Sequence, residues 1–139
     1  MRILAVDYGD ARTGLAICDE MEMLASPLDT IYGAWQPKVA EQIVQKAREF
    51  GVQEIVVGYP LNMDGSAGER AVKCKEFAQL LESLTGLPVY LWDERGTTIS
   101  AHRALNETNT RGKKRKAVVD QVAAVVILQS YLEYRKRQL

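Results

Sequence analysis

The sequence contains few of the residues that most metal sites and covalent catalysts need. His102 is the only histidine, which excludes a multi-histidine zinc site and leaves a serine or cysteine nucleophile only that one base. Cys18 and Cys74 are the only cysteines and lie too far apart in the chain for a Cys-x-x-Cys site or a disulfide framework. We therefore expect two buried free thiols in a reducing compartment.

The sequence also has no excess of charge and no long apolar segment. Basic and acidic residues number 18 each, which argues against a protein that coats nucleic acid through overall charge. The longest apolar runs, such as Val122 to Leu128, are far too short to cross a bilayer. The first residues show no basic or cleavable leader, so we expect an untargeted cytoplasmic protein that does not contact membranes.

A local basic patch contrasts with this overall balance. The segment from Arg111 to Lys116 carries five positive charges in six residues. A charge run is usually a solvated surface, and we expect a basic loop over about Thr108 to Lys114. Because this loop directly precedes the final predicted helix, which carries Asp120, contact with a nucleic-acid backbone is the favoured interpretation.

The order of predicted elements defines the fold class. Apolar runs at Ile3–Val6 and Leu15–Cys18, separated by a turn rich in glycine and aspartate, predict a hairpin. Pro27 weakens a third strand over Leu24–Ile31 or places it at an edge. The later elements are predicted as a helix from Pro37 to Gly51, a strand from Glu54 to Gly58, a helix begun by a Ser66–Glu69 capping box and ended at Gly86, a strand from Leu87 to Trp92, a short helix from Thr97 to about Glu107, and a helix from about Lys116 to Arg135. This order predicts an α/β fold in one domain over residues 1–139, with a mixed five-stranded sheet, its first three strands antiparallel, and helices on both faces.

Asp120 is the most informative residue in the sequence. From Ala117 to Leu128 it is the only charged residue, on a predicted helix that otherwise consists of core residues. A buried carboxylate is costly unless a cation or hydrogen-bond donors compensate it, and a salt bridge or a helix cap is the ordinary explanation. Small neighbours such as Ala123 and Ala124 would let another surface approach closely, so we favour a functional site.

Further acids stand where predicted strands end. Asp7 ends the first strand, beside the sheet edge where ligands usually bind, although an aspartate there also commonly caps a turn. Asp93 and Glu94 follow the last predicted strand, and strand alternation allows only one of them to join a shared site easily. Arg95 could hold a phosphate or orient the acid, whereas a solvated loop is the simpler alternative.

Three carboxylates on separate elements, in a chain with one histidine, favour hard divalent cations over zinc. Mg²⁺ or Mn²⁺ is therefore the expected cofactor. In a two-metal site one ion activates water and the other stabilises the leaving oxygen of a phosphodiester, which requires no nucleophilic side chain. The residues thus predict a metal-dependent nuclease.

Four motifs, in order along nearly the whole chain, resemble those of the YqgF (RuvX) family. They are Asp7-x-Gly9-x-x-Arg12-x-Gly14, Gly58-x-Pro60-Leu61-Asn62-x-x-Gly65, Asp93-Glu94-Arg95-x-Thr97-Thr98, and Lys116-x-x-x-Asp120-x-x-Ala123-Ala124-x-x-Ile127-Leu128. The resemblance implies a ribonuclease-H-like fold, related to that of the RuvC Holliday junction resolvases. It also implies maturation of the 5′ end of precursor 16S rRNA, with resolution of branched DNA as an alternative.

The resemblance also assigns roles by position. Asp7, Glu94 and Asp120 match the catalytic, metal-binding acids of the family. The RuvC relatives carry their second acid after the fourth strand, where this chain has Gly58-Tyr59-Pro60, so Glu94 must replace it. Phosphate contacts are expected from Arg12, Asn62, Arg95, Arg111, Lys113, Lys114, Arg115 and Lys116. Resolvases act as dimers, and the sequence leaves monomer and homodimer open.

Two other functions compete with the nuclease. The spacing from Asp7 to Gly14 also resembles the first phosphate loop of actin-like and sugar-kinase ATPases, which close two lobes over a nucleotide, whereas 139 residues supply one lobe at most. A non-catalytic RNA-binding factor in ribosome assembly is the second rival. Three carboxylates that are costly to desolvate argue against a protein that only binds.

Overall fold

The computed structural model describes residues 1–95 and 112–138, with residues 112–120 described as backbone only. The described elements are β1 (Ile3–Asp7), β2 (Arg12–Cys18), β3 (Ala25–Tyr32), α1 (Gln36–Glu49), β4 (Glu54–Tyr59), α2 (Glu69–Thr85), β5 (Val89–Asp93) and α3 (Gly112–Arg137). The short helix predicted after Thr97 lies outside the described residues.

The five strands form one mixed sheet in the order β3-β2-β1-β4-β5. β2 pairs antiparallel with both β1 and β3, whereas β1, β4 and β5 run parallel. This confirms the predicted fold class and places Pro27 in an edge strand, where its missing N–H is tolerated. Because β1, β4 and β5 end at the same side of the sheet, we name that side the carboxyl edge.

Helices cover both faces of the sheet, as predicted. Alternate strand residues such as Leu4 and Ile55 pack against α1 and α2 on one face. The intervening residues, such as Ala5 and Val56, pack against Ile127 and other residues of α3 on the other. We name this second side the α3 face.

The start of α2 differs from the predicted capping box. Gly68 is the N-cap residue and no side chain caps the helix. The Ser66 hydroxyl and amide instead donate to Asp64 Oδ1 at 2.6 and 2.9 Å, because a local turn competes for the same serine. The predicted end of the helix is confirmed, with Gly86 in the left-handed conformation at φ 70°.

The expected basic loop is also corrected. Lys113, Lys114, Arg115 and Lys116 lie in the first turns of α3, which begins at Gly112, while Arg111 lies outside the described residues. Lysine and arginine are good helix formers, so the helix extends further toward the N-terminus than the apolar pattern indicated.

Cys18 and Cys74 are buried free thiols, as expected. Burial is the main cause that raises the pKa of Cys18, and it raises the pKa of Cys74 to about 12. Across the described ranges, no helix is both long enough and apolar enough to span a bilayer.

An ion-pair cluster joins the C-terminal part of α3 to the rest of the fold. Arg135 Nε donates to Glu22 Oε1 at 2.6 Å, and the Met1 amino group donates to Glu22 Oε2 at 3.1 Å. The Tyr131 hydroxyl donates to Glu54 Oε2 at 2.6 Å. The hydrogen bond from Arg135 is the main cause that lowers the pKa of Glu22. These contacts position α3 across the sheet.

Glu22→Gln is expected to lower the free energy of unfolding by about 1 kcal/mol at neutral pH, because it removes a charge-assisted pair. The Glu22 pKa is lower in the folded protein, so this contribution is present above about pH 4.3 and is lost as the pH falls through the lowered value. Urea unfolding of both proteins at neutral and acidic pH measures the difference. Glu69→Gln is the matched control, since the Glu69–Lys73 pair is exposed, and equal effects of the two substitutions would contradict the prediction.

Candidate active site

Asp7 is the last residue of β1 and is half-buried at the carboxyl edge. The residue after it, Tyr8, is buried and stacks on Phe77 of α2 with ring centroids 4.1 Å apart. A Cβ at Gly9 would collide with the carbonyl oxygen of Arg12. The turn that follows Asp7 is therefore held by close packing, which restricts where the Asp7 carboxylate can lie.

Glu94 follows β5 directly and extends the pairing of β5 with β4, since its amide donates to the Tyr59 carbonyl at 3.1 Å. Its carboxyl group lies against Gly58: a Cβ added there would be 2.7 Å from Glu94 Cδ. The same Cβ would be 2.7 Å from Ile127 Cδ1, so Glu94 lies on the α3 face. Burial is the main cause that raises the pKa of Glu94; nearby Arg70 lowers it and Asp93 raises it.

The structure brings Asp7 and Glu94 together. Val6 pairs with Val57, so Asp7 and Gly58 lie side by side one residue further along. Neighbouring strands are about 4.8 Å apart, which places Glu94, lying over Gly58, within one strand spacing of β1. Both carboxylates also act electrostatically on the same thiol, that of Cys74.

Asp93 has a different partner. Both of its carboxylate oxygens bind Arg95, with Nε to Oδ2 at 2.8 Å and Nη2 to Oδ2 at 2.6 Å among the contacts. The hydrogen bond from Arg95 is the main cause that lowers the pKa of Asp93. Of the two acids left open by the sequence, Glu94 is thus the one beside Asp7, as strand alternation allows.

The backbone of α3 places position 120 at the same end of the sheet. Gln121 Nε2 donates to Thr30 Oγ1 at 2.9 Å. Thr30 pairs with Gly14, and Gly14 pairs with Asp7, so this part of α3 lies at the level of Asp7. Ala124, one turn after position 120, is fully buried against the sheet.

Three of the residues predicted to contact phosphates have described side chains, and their segments lie at this edge. Arg12 is half-buried at the start of β2. Asn62 is engaged within its own loop, where Nδ2 donates to Ser66 Oγ at 3.0 Å. Arg95 forms the pair with Asp93 described above and lies across from the same loop, since a Cβ on Gly65 would be 3.5 Å from Arg95 Nη1.

Arg70, in the first turn of α2, is a site residue that the sequence analysis missed. One of its guanidinium nitrogens donates to the Tyr8 carbonyl at 2.5 Å, and the other lies 3.6 Å from Asp10 Oδ1. It therefore holds the turn that follows Asp7 and brings a positive charge close to Glu94. Its only sequence signal is its place just after the glycine-rich loop that precedes α2.

The donor chemistry of this edge fits a hard divalent cation. Asp7 and Glu94 supply carboxylate oxygens, which Mg²⁺ and Mn²⁺ prefer. The missing side chain at Gly58 leaves the space that the Glu94 carboxyl group occupies. Among the residues whose side chains are described, no three histidine, cysteine, aspartate or glutamate residues form a complete metal-binding group. A cation at this edge would need a further ligand from outside these side chains.

Comparison with solved structures identifies the fold. Thermus thermophilus RuvC, solved with a Holliday junction substrate, matches with a TM-score of 0.64 at 12% identity, covering 99% of this chain and 96% of that one. The fowlpox virus resolvase, also solved with junction DNA, matches with a TM-score of 0.61 at 12% identity, covering 97% and 99%. The chain has the ribonuclease-H-like fold, in which nucleases and resolvases generally use divalent metal ions.

Sequence comparison identifies the family. Residues 1–134 match the model of the family described as "RuvX: Holliday junction resolvase". A relative from Lachnospira eligens, named "Putative pre-16S rRNA nuclease", is 46% identical over 140 residues, covering 99% of this chain and all of that protein. One from Desulfitobacterium hafniense with the same name is 44% identical over 138 residues, covering 99% and 96%. The chain belongs to the RuvX family, which confirms the resemblance found in its motifs. The protein is thus a nuclease that hydrolyses phosphodiester bonds.

Proposed function

We propose that this protein removes the 5′ extension of precursor 16S rRNA in the cytoplasm, using divalent metal ions held by Asp7, Glu94 and Asp120. The observation that carries the proposal is the placement of the Glu94 carboxyl group over Gly58, beside Asp7 at the carboxyl edge. The names of the full-length relatives support precursor rRNA as the substrate.

The three acids would have one common task. Asp7 is the last residue of β1 and Glu94 directly follows β5, so the sheet pre-organises their oxygens before a cation binds. Asp120 is proposed as the third ligand, since position 120 lies on α3 at the level of Asp7. Bound Mg²⁺ or Mn²⁺ would supply an activated water and stabilise the leaving oxygen of the phosphodiester.

The basic residues around the edge would hold the substrate. Arg12 is the first residue of β2, beside Asp7 of β1, and Arg95 directly follows Glu94 beyond the end of β5. Contacts from both to phosphates would position the strand across the acids. Asn62 and the basic segment at Arg111, Lys113, Lys114, Arg115 and Lys116 are proposed to extend this contact along the backbone.

Cleavage of precursor rRNA is the test. The purified protein is incubated with a 5′-extended 16S precursor and with a four-way DNA junction, each with Mg²⁺, with Mn²⁺ and with a chelator. We expect cleavage of the precursor with either metal and none with the chelator.

The other outcomes each identify a rival. Cleavage of the junction alone would make the protein a resolvase, which the family description favours as the second candidate. Binding of RNA without cleavage in any metal would replace the enzyme by a non-catalytic assembly factor. Cleavage that persists in the chelator would rule out the three-acid metal site.

A further inference from the structure

Two large aromatic side chains at and just after the end of β3 are exposed and have no place in the proposed site. Tyr32, the last residue of β3, is 63% exposed, and Trp35, just before α1, is 70% exposed. Tyrosine and tryptophan are enriched at interfaces, because each ring offers apolar area together with a polar group. Neither ring belongs to the hydrophobic core, to which this segment contributes Ile31.

Tyr32 lies on the same face of the sheet as the acids. Residues two apart in a strand share a face, and Thr30 contacts Gln121 of α3. Tyr32 is therefore on the α3 face, as Asp7 is. From the pairing of β1, β2 and β3, two strand spacings and two residues of rise separate Tyr32 from Asp7, which is roughly 12 Å between Cα atoms.

Arg12 lies on β2, between Tyr32 of β3 and Asp7 of β1. It is the direct cross-strand partner of Tyr32 in the pairing of β2 with β3. The amide of Gly33 donates to the Ala11 carbonyl at 2.9 Å, which ties the segment leading to Trp35 to the turn between β1 and β2. Arg12 and Tyr32 are thus held side by side at one end of the sheet, next to the carboxylates, and Trp35 follows Tyr32 by three residues.

We propose that Arg12, Tyr32 and Trp35 form a binding surface for unpaired nucleotides beside the bond that is cut. Bases stack on Tyr32 and Trp35, and Arg12 contacts the intervening phosphate. This combination of aromatic faces and a guanidinium group is the one that binds single strands without reading their sequence. The proposal rests on the proposed nuclease function and narrows its substrate: the cut bond lies next to an unpaired strand rather than within a continuous duplex.

Binding in the presence of a chelator tests this surface without cleavage. Fluorescence anisotropy is measured with a labelled oligouridine and with a blunt RNA duplex for the wild type, Tyr32→Leu, Tyr32→Phe and Trp35→Leu. Tyr32→Leu and Trp35→Leu are each expected to weaken oligouridine binding about tenfold and to leave duplex binding unchanged. Tyr32→Phe keeps the ring and should bind like the wild type. Tyr134→Leu, which removes a half-exposed tyrosine on the C-terminal part of α3, is the matched control and should have no effect.

The contrary results are distinct from failure of the nuclease. The surface would be overturned, even if precursor rRNA is cut, by oligouridine binding that is undetectable in the wild type or unchanged in the two leucine variants. An equal loss of duplex binding in those variants would overturn it as well. A change in sedimentation coefficient with Tyr32→Leu would instead make the surface a contact between two copies of the chain. Ring-dependent binding of oligouridine by a protein that cuts nothing would support the surface while the proposed function fails.

Discussion

Asp7→Asn is expected to reduce metal-dependent cleavage at least about 100-fold without unfolding the protein. Asparagine has the same shape but lacks the anionic oxygen that a hard cation binds. Loss of a partner outside the ligand shell already costs about 10–100-fold in affinity or activity, so loss of a ligand should cost more. Initial rates on precursor rRNA measure the effect, and calorimetric titration with Mn²⁺ should show weakened metal binding.

Asp10→Asn is the matched control for this experiment. Asp10 lies in the same turn, is mostly exposed and pairs with Arg70 at 3.6 Å. Its substitution should change the rate only slightly, because the Tyr8 carbonyl continues to hold Arg70. Equal losses from Asp7→Asn and Asp10→Asn would mean that the charge of the turn matters rather than the Asp7 ligand. We expect the thermal stability of Asp7→Asn to equal or exceed that of the wild type, because crowded acids at functional sites oppose folding.

The strands and their ends could be predicted because local patterns determine them. The run Ile3–Val6 is apolar throughout and is followed by a charged residue, so both the buried strand and the place of Asp7 at its end follow from the sequence. The same holds for the strand that precedes Glu94. Both acids at the carboxyl edge could therefore be proposed before their distance was known.

Side-chain partners were harder to predict, because they depend on contacts between distant segments. Arg70 lies 62 residues from Tyr8, and no local pattern indicates the hydrogen bond between them. The capping box failed for the opposite reason: Ser66 had a closer partner in Asp64. Arg95 was predicted to hold a phosphate or to orient an acid, and the structure pairs it with Asp93 rather than with the acid that lies beside Asp7.

The basic residues before Ala117 led to a wrong prediction of where α3 begins. Basic residues oppose the positive end of a helix dipole, and the first turn of α3 contains no acid. Local electrostatics thus favoured a loop for Lys113 and Lys114. The N-terminal end of a helix itself attracts anions, so the position of these residues in the first turns of α3 supports the proposed role in holding phosphates.

The contact between Gly58 and Glu94 lies where this chain departs from the sequence pattern of the RuvC relatives. The RuvC relatives were expected to carry an acid after the fourth strand, where this chain has Gly58. The structure places the Glu94 carboxyl group, which arrives from the neighbouring strand, directly over that glycine. An acid is thus supplied to the same region of the sheet from a different strand, and the absence of a side chain at Gly58 is what makes room for it.

Gly58→Ala is therefore expected to remove most of the cleavage activity and to lower the free energy of unfolding by about 1–3 kcal/mol. The added Cβ would lie 2.7 Å from both Glu94 Cδ and Ile127 Cδ1, which is closer than packed atoms tolerate. The Glu94 carboxyl group must shift from its place over Gly58 to relieve the first collision. Initial cleavage rates and urea unfolding measure the two effects.

Ile127→Val separates the two collisions, because valine lacks the Cδ1 atom. Ile127→Val alone should lower the free energy of unfolding by about 0.5–1.5 kcal/mol, and by less in the Gly58→Ala protein. The cleavage rate of the double variant should stay low, because the collision with Glu94 remains. Gly68→Ala is the matched control, since its Cβ would contact the Asn62 amide at the ordinary distances of 3.6 Å to Nδ2 and 3.7 Å to Oδ1. In a Glu94→Gln protein, Gly58→Ala should not lower the rate further, because the group that it displaces no longer binds metal. A Gly58→Ala enzyme that cuts at the wild-type rate would show that the position of Glu94 over this glycine is not the active one.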